Sequence, residues 1–340
     1  MQSTRPWHQS IAIATHSLKR LVLLLPLFLS LSGCSQTTSG GQLTPITVQL
    51  SFTHQAEFAG FYAADQLGYY AEEGLKISFI EGGPQVDFIK PVAEGQAQFG
   101  VAQPADVILA RVQGKLVRSI AAVFRRSPVA YFALASSGIT RPQDFVGKTI
   151  RSTITADQTL LALMARLGIG PDQYKKVYLP SDISLFATGE VPVWSGFINV
   201  FVIDVQRAGY QVNIIYPDDY GIHFYGDVII TTDGLISQNP DLVQRFTRSS
   251  LKGWTYAVEN PADMGALVLK YNPSADELTE NEKMTASLPL VNTGEDFIGW
   301  MKPEVWEIMA QTLREQGLLT QPLETTQAYT LQFLHGIYGR

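Results

Sequence analysis

From Pro45 onward, short runs rich in Val, Ile and Phe alternate with longer stretches whose apolar residues recur every three or four positions. The first pattern fits strands and the second amphipathic helices. It predicts strands over 46–52, 76–83, 98–103 and 116–124, with helices over 60–74, 86–95 and 104–114 between them. Gly74 closes the first helix and Pro91 bends or restarts the second. Pro104 opens the third, where its missing N–H has no partner to lose.

The alternation then restarts. Strands at 148–153, 174–179, 191–196 and 212–217 enclose helices over 156–168, 182–189 and 197–209. PVAYFALASSG (128–138) precedes this block and FYGDVIITTDG (224–234) follows it. Both are extended and apolar, as segments crossing between two lobes would be. Beyond Asp233, helical patterns over 239–260, 261–272, 303–318 and 324–339 take over. Asn239 with Pro240 behind it makes a cap and first-turn pair.

Strand–helix alternation of this kind implies an α/β fold. The expected architecture is two-lobed, each lobe a mostly parallel sheet flanked by helices, joined by two crossover strands. Residues 46–130 plus 234–340 form lobe I in this layout, and 131–233, crossover strands included, form lobe II. The cleft between the lobes is the natural ligand site.

The first forty-five residues read differently. Arg5, Lys19 and Arg20 stand without an acidic neighbour before an apolar run from Leu21 to Ser32. A basic flank ahead of about a dozen apolar residues matches an export signal, and falls short of the ~20 residues a bilayer span needs. Leu31, Ser32, Gly33 and Cys34 then resemble the lipobox of bacterial lipoproteins. That resemblance implies cleavage before Cys34 and lipidation of its sulfur, which consumes the chain's one cysteine. Residues 1–33 are thus expected to be a lipoprotein signal peptide and 34–45 a flexible tether. The mature chain would be exported and lipid-anchored to a membrane, facing the periplasm or cell exterior.

Loss of residues 1–33 would remove three positive charges and leave 22 Lys+Arg against 31 Asp+Glu, a net charge of −9. That balance argues against nucleic acid as a partner. With Cys34 consumed there is no disulfide, no thiol nucleophile and no cysteine metal site. HExxH, GxSxG and Walker-type loops are absent. These observations lead to the expectation of a binding protein that is not an enzyme, with no catalytic residue, cofactor or metal.

TVQLSFTHQAEFAGFYAADQLGYYAEEGLKISFIEGG (47–83) resembles the opening of the solute-binding proteins related to thiamine-pyrimidine synthases, a family close to the sulfonate-binding (SsuA-like) proteins. AEGQAQFGVAQPADVILARVQG (93–114), SGITRPQDFVGKTI (137–150) and the stretch 219–261 are similar as well. The resemblance implies a two-lobed, type II periplasmic-binding-protein-like fold, in agreement with the alternation. It also implies a small-molecule ligand, a pyrimidine precursor of thiamine first, and ABC permease subunits as partners. Riboflavin, a sulfonate or another small solute, taken up or sensed, are the alternatives it leaves open. Its synthase branch uses its own histidine, pyridoxal phosphate and a CCCFC-type cysteine motif, which nothing here matches.

A cleft for a planar solute needs flat faces and a few polar groups to orient it. Phe58, Phe61 and Tyr62 open the first helix, with a spacing that also suits a core stripe. Gln55 and Glu57 precede them, able to pair with ring and amino nitrogens or to sit in a solvated loop. Gly82 follows a strand where backbone would approach ligand, or simply turn. Gln103 lies between a strand end and a helix start, a usual address for contacts in open α/β sheets. Trp194 and Asn199 occupy the junction VWSGFIN, Trp194 offering the largest flat face for stacking or for a buried lobe position. Asp219, Tyr220 and Tyr225 sit near the second crossover, beside His223, which suits a structural hydrogen bond. Arg125 and Arg126, ahead of the first crossover, would suit a sulfonate or phosphate.

Overall fold

The computed structural model describes residues 42–340. Cys34, the export signal and most of the expected tether lie outside the described residues. Ten strands form two five-stranded sheets. β1 (Thr44–Gln49), β2 (Leu75–Ile80), β3 (Phe99–Ala102) and β4 (Val117–Ala122) build the first. β5 (Val129–Leu134), β6 (Thr149–Ser152), β7 (Lys175–Tyr178), β8 (Val193–Phe197) and β9 (Val212–Ile215) build the second. β10 (Val228–Thr232) then returns to the first.

The strand orders are β2-β1-β3-β10-β4 and β7-β6-β8-β5-β9. The two follow one plan: three adjacent parallel strands, then one strand antiparallel to both its neighbours, then an edge strand (β4 or β9). Those antiparallel members, β5 and β10, are the apolar segments expected to cross between lobes. They lie inside the sheets, and the chain crosses just before each of them. Burial on both faces explains their unbroken apolar sequence.

Several predicted helices are shorter than their patterns. The first divides into Ala59–Gln66 and Tyr69–Glu72, because Gly68 takes a left-handed φ of 80°. The segment 86–95 keeps only Lys90–Ala93, with Pro91 in its first turn. The helix expected over 197–209 runs from Phe201 to Arg207.

One helix escapes the apolar pattern altogether. Glu277–Val291 turns Glu280, Lys283 and Ser287 inward along with Met284 and Leu290. A buried face that mixes charge with apolar residues gives no amphipathic signature. This helix nevertheless carries contacts to the second lobe.

The C-terminal helices pack against the first sheet. The helix Pro240–Glu259 crosses Ala59–Gln66 so closely that a Cβ on Gly253 would lie 2.1 Å from the Gly60 carbonyl oxygen. A Cβ on Gly60 would meet the Trp254 ring at 2.2 Å. Further along, Ser119 of β4 exchanges backbone hydrogen bonds with Ala328 (2.8 Å) and Thr330 (2.9 Å). No helix of the described residues is long and apolar enough to cross a membrane.

Candidate binding cleft

β1 and β6 both end at the crevice between the two sheets, where open α/β folds bind ligands. β1 leads into residues 50–58, and β6 into Thr153 and the helix Ile154–Arg166. With the turn after β8 they enclose a small inner pocket. Phe52, Phe197, Val200 and Phe201 supply its apolar walls, and Gln55, Glu57, Arg151, Thr153, Thr155 and Ser181 its polar groups. It opens into a groove of about 1050 Å³, where His54, Asp204, Arg207, Glu280 and Lys283 stand.

Arg151 dominates the second-lobe wall. It is 1 % exposed, and its Nε donates to the Leu179 carbonyl at 3.0 Å. Nη1 donates to the Ser195 carbonyl at 2.9 Å and Nη2 to Ser181 Oγ at 2.9 Å. Three of the five guanidinium N–H groups are thereby used. All three acceptors are neutral, and no carboxylate among the described residues pairs with this cation. Burial pulls its pKa down to about 10. Trp194 and Phe201 lie under the guanidinium, 5.2 and 5.9 Å from its carbon to the ring centroids. The helix beginning at Ile154 has no side-chain cap, so its positive end adds to the same wall.

The first-lobe wall has the opposite character. Glu57, 2 % exposed, accepts from Ser51 Oγ at 3.1 Å and from Gln55 Nε2 at 2.7 Å. Asp227 lies against it and accepts from Gln103 Nε2 at 2.6 Å. Burial pushes the Glu57 carboxyl up to about 7; burial, then the Glu57 charge, push Asp227 well above the usual carboxylate range. Burial and mutual repulsion thus make both carboxyls hold their protons more tightly than isolated carboxylates do. The pocket thus meets the Arg151 cation on one side and the buried Glu57 carboxyl, backed by Asp227, on the other.

Of the residues expected to bind ligand, Gln55 lines the pocket, as does Glu57 beside it. Phe58 and Phe61 belong to the core, Phe61 edge-on to Trp254. Tyr62 is buried too, stacked on Tyr271 at 4.2 Å with its hydroxyl 2.7 Å from His54 Nδ1. Gly82 is required by Ser51, whose backbone a Cβ there would meet at 2.5 Å. Gln103 holds Asp227 from behind the pocket wall. Trp194 is fully buried in the second lobe, its Nε1 donating to the Val191 carbonyl at 2.8 Å, and it stacks on Arg151 and Phe201 instead of facing the pocket. Asn199 reaches across the lobes to Ser287 Oγ at 2.6 Å.

The residues near the second crossover lie away from the inner pocket. Asp219 is exposed and Tyr220 half-buried in the turn Pro217–Tyr220. Tyr225 is buried, its hydroxyl accepting from the Lys302 amide at 2.9 Å. His223 pairs with Asp218 at 2.8 Å, Arg126 with Asp218 at 3.1 Å, and Arg125 with Asp296 at 3.5 Å.

Sequence reading missed Arg151, Thr153, Thr155 and Phe201. A signal for Arg151 existed, since a charged residue at the carboxyl end of a strand, just before a helix, stands at the ligand edge of an α/β sheet. Among the described residues no group of three or more His, Cys, Asp or Glu side chains is placed to hold a metal ion.

Comparison with known proteins decides the family. The model described as NMT1/THI5 like matches residues 55–264. The chain belongs to the NMT1/THI5-like family. It is 28% identical over 308 residues to the riboflavin-binding protein RibY of Chloroflexus aurantiacus, covering 86% of this chain and 87% of that one. Identity to the formylaminopyrimidine-binding protein of Halalkalibacterium halodurans is 26% over 324 residues, 92% and 98% of the two chains. Among solved structures, the alkanesulfonate-binding protein SsuA from Xanthomonas axonopodis pv. citri, bound to MOPS, superposes with a TM-score of 0.67 at 15% identity, over 84% of this chain and 98% of that one. A Candida albicans protein with the generic periplasmic binding protein fold superposes with a TM-score of 0.62 at 12% identity, over 85% and 96%. The two-lobed fold expected from the alternation is therefore the fold of this family's structural neighbours.

The expectation of a chain that is not an enzyme needs correction. A 4-amino-5-hydroxymethyl-2-methylpyrimidine phosphate synthase of Legionella pneumophila is 24% identical over 299 residues, 85% of this chain and 92% of that one. The family thus includes proteins named as enzymes. The missing signatures belong to metalloproteases, serine hydrolases and nucleotide-binding loops, and their absence says nothing about pyrimidine synthesis.

Proposed function

We propose that this chain is an extracytoplasmic solute-binding lipoprotein that captures a small heterocyclic vitamin precursor, a thiamine pyrimidine precursor foremost, and delivers it to an ABC importer. The observation that carries the reading is the pocket between the lobes, with aromatic walls and two polar ends of opposite character. A planar heterocycle presents ring acceptors to Arg151 and amino or amide donors to Glu57 while its faces meet Phe52, Phe197 and Phe201. Relatives named for binding riboflavin and formylaminopyrimidine support that ligand class. Closure of the two lobes about the crossings that precede β5 and β10 would present the loaded protein to the permease. Cys34 would tie it to the membrane.

A second reading has its own support. A buried arginine whose neighbours are all neutral suits an anionic solute such as a sulfonate, and the SsuA structure at TM-score 0.67 fits that reading.

A thermal-shift series tests both, with hydroxymethyl- and formylaminopyrimidines, riboflavin and alkanesulfonates. A ligand at a hundred times its Kd stabilises the protein by about 2.7 kcal/mol. A shift with the heterocycles alone supports the first reading, and one with sulfonates alone the second. No shift with either class removes both. For the anchor, Cys34→Ala should release the protein from the membrane fraction, and unchanged association would refute lipidation.

A further inference from the structure

We propose that Lys283 is a positioning residue that joins closure of the lobes to the turn that faces the ligand. Its Nζ lies 2.8 Å from Asp204 Oδ1 on the helix Phe201–Arg207 of the second lobe, and 2.8 Å from Glu280 Oε1 on its own helix. The second Glu280 oxygen, Oε2, accepts from the Ala56 amide at 2.7 Å. Ala56 stands between Gln55 and Glu57, the two first-lobe polar residues of the inner pocket. A continuous chain of charge-assisted bonds therefore runs from the second lobe, through Lys283 and Glu280, to the pocket turn.

Burial gives this chain its grip. Glu280 is 3 % and Lys283 5 % exposed, so water screens their bonds far less than those of a surface pair. Neighbouring contacts differ in kind. Arg207 reaches Glu282 at 2.7 Å and Asp276 at 3.8 Å, but all three side chains are exposed, and such pairs contribute little.

The helix is also tied to the hinge. The Leu290 carbonyl, one residue from its end, accepts from the Arg125 amide at 2.7 Å and the Arg126 amide at 3.2 Å, where the chain crosses from β4 to β5. The helix Glu277–Val291 is thus a strut between hinge and cleft mouth, with Lys283 near its middle. When the lobes part, Lys283 loses Asp204 and keeps Glu280. The turn then loses its link to the second lobe while retaining its own support.

The inference rests on the cleft being the working site, and its test uses no ligand, so the two can fail separately. Spin labels at Leu185→Cys and Leu278→Cys, both exposed positions, report the distance between lobes in the full chain carrying Cys34→Ser. Pulsed electron–electron resonance should give a short main distance for this parent. Asp204→Asn, on the less buried partner, should shift the distribution toward longer distances while melting stays cooperative. Lys283→Met should do the same and raise amide exchange at Ala56 at least tenfold. Lys283→Arg should restore the short distance at least in part. A distribution that is already long in the parent, or that Asp204→Asn leaves unchanged in a folded protein, overturns the proposal.

Discussion

Arg151 lies over the ring of Trp194, 5.2 Å from guanidinium carbon to ring centroid, and the indole is itself fixed by its bond to the Val191 carbonyl. The largest aromatic residue at the cleft edge therefore orients a cation instead of touching a solute. Each member of the arrangement makes a separate expectation.

Arg151→Lys keeps the charge and loses the planar fork that serves Leu179, Ser195 and Ser181 at once. Affinity for the physiological solute should fall by about tenfold, while Arg151→Met should cost about 10- to 100-fold, the value of a hydrogen bond to a charged group. Isothermal titration calorimetry reads both. Equal affinity in all three proteins would take Arg151 out of the site.

Trp194→Ala should destabilise the second lobe by about 3–5 kcal/mol, as for other buried aromatic truncations. Trp194→Phe should retain most of the stability and weaken binding through Arg151. Urea denaturation with parallel titrations separates the two effects. A Trp194→Ala protein as stable as the parent would contradict the buried position.

Gly253→Ala places a methyl 2.1 Å from the Gly60 carbonyl oxygen and 2.7 Å from Ala64. Backbone cannot yield as a flexible side chain does, so the two helices must separate at a cost of about 1–3 kcal/mol or more. A lowered Tm for Gly253→Ala, next to an unchanged Tm for an exposed substitution such as Leu278→Ala, checks it.

How much of this was visible beforehand follows from what each residue faces. Ordinary alternation revealed the sheets, because their strands are apolar wherever both faces are covered. It hid the helix Glu277–Val291, whose inward side carries Glu280 and Lys283 toward the other lobe. Aromatic richness pointed to Phe58, Phe61 and Trp194, yet composition cannot tell a ring facing the cleft from one facing the core one residue away. Arg151 went unnoticed because it sits in a short strand among Thr and Ser, where its lack of a carboxylate partner is visible only in three dimensions. Gln55 and Glu57 were readable from their place just ahead of the first helix.

The acid pair makes stability depend on pH in a definite direction. The Glu57 carboxyl is raised in the folded protein to about 7 from an ordinary 4.5, so the fold binds the proton more tightly than the unfolded chain does. Its contribution is complete below about pH 4.5 and is lost as pH rises through about 7. Glu57→Gln should therefore flatten the fall in Tm between pH 5 and pH 8. A parent protein whose Tm drops no more than that of Glu57→Gln over this range would contradict the raised Glu57 pKa.

Calorimetric titration decides whether the pocket between Arg151 and Glu57 holds a small solute. Formylaminopyrimidine, riboflavin and an alkanesulfonate would be titrated into the parent protein, Arg151→Met and Glu57→Gln. One class should bind saturably with a stoichiometry of about one, and both substitutions should weaken it. Absence of binding by all three classes, or binding that neither substitution alters, would contradict that expectation.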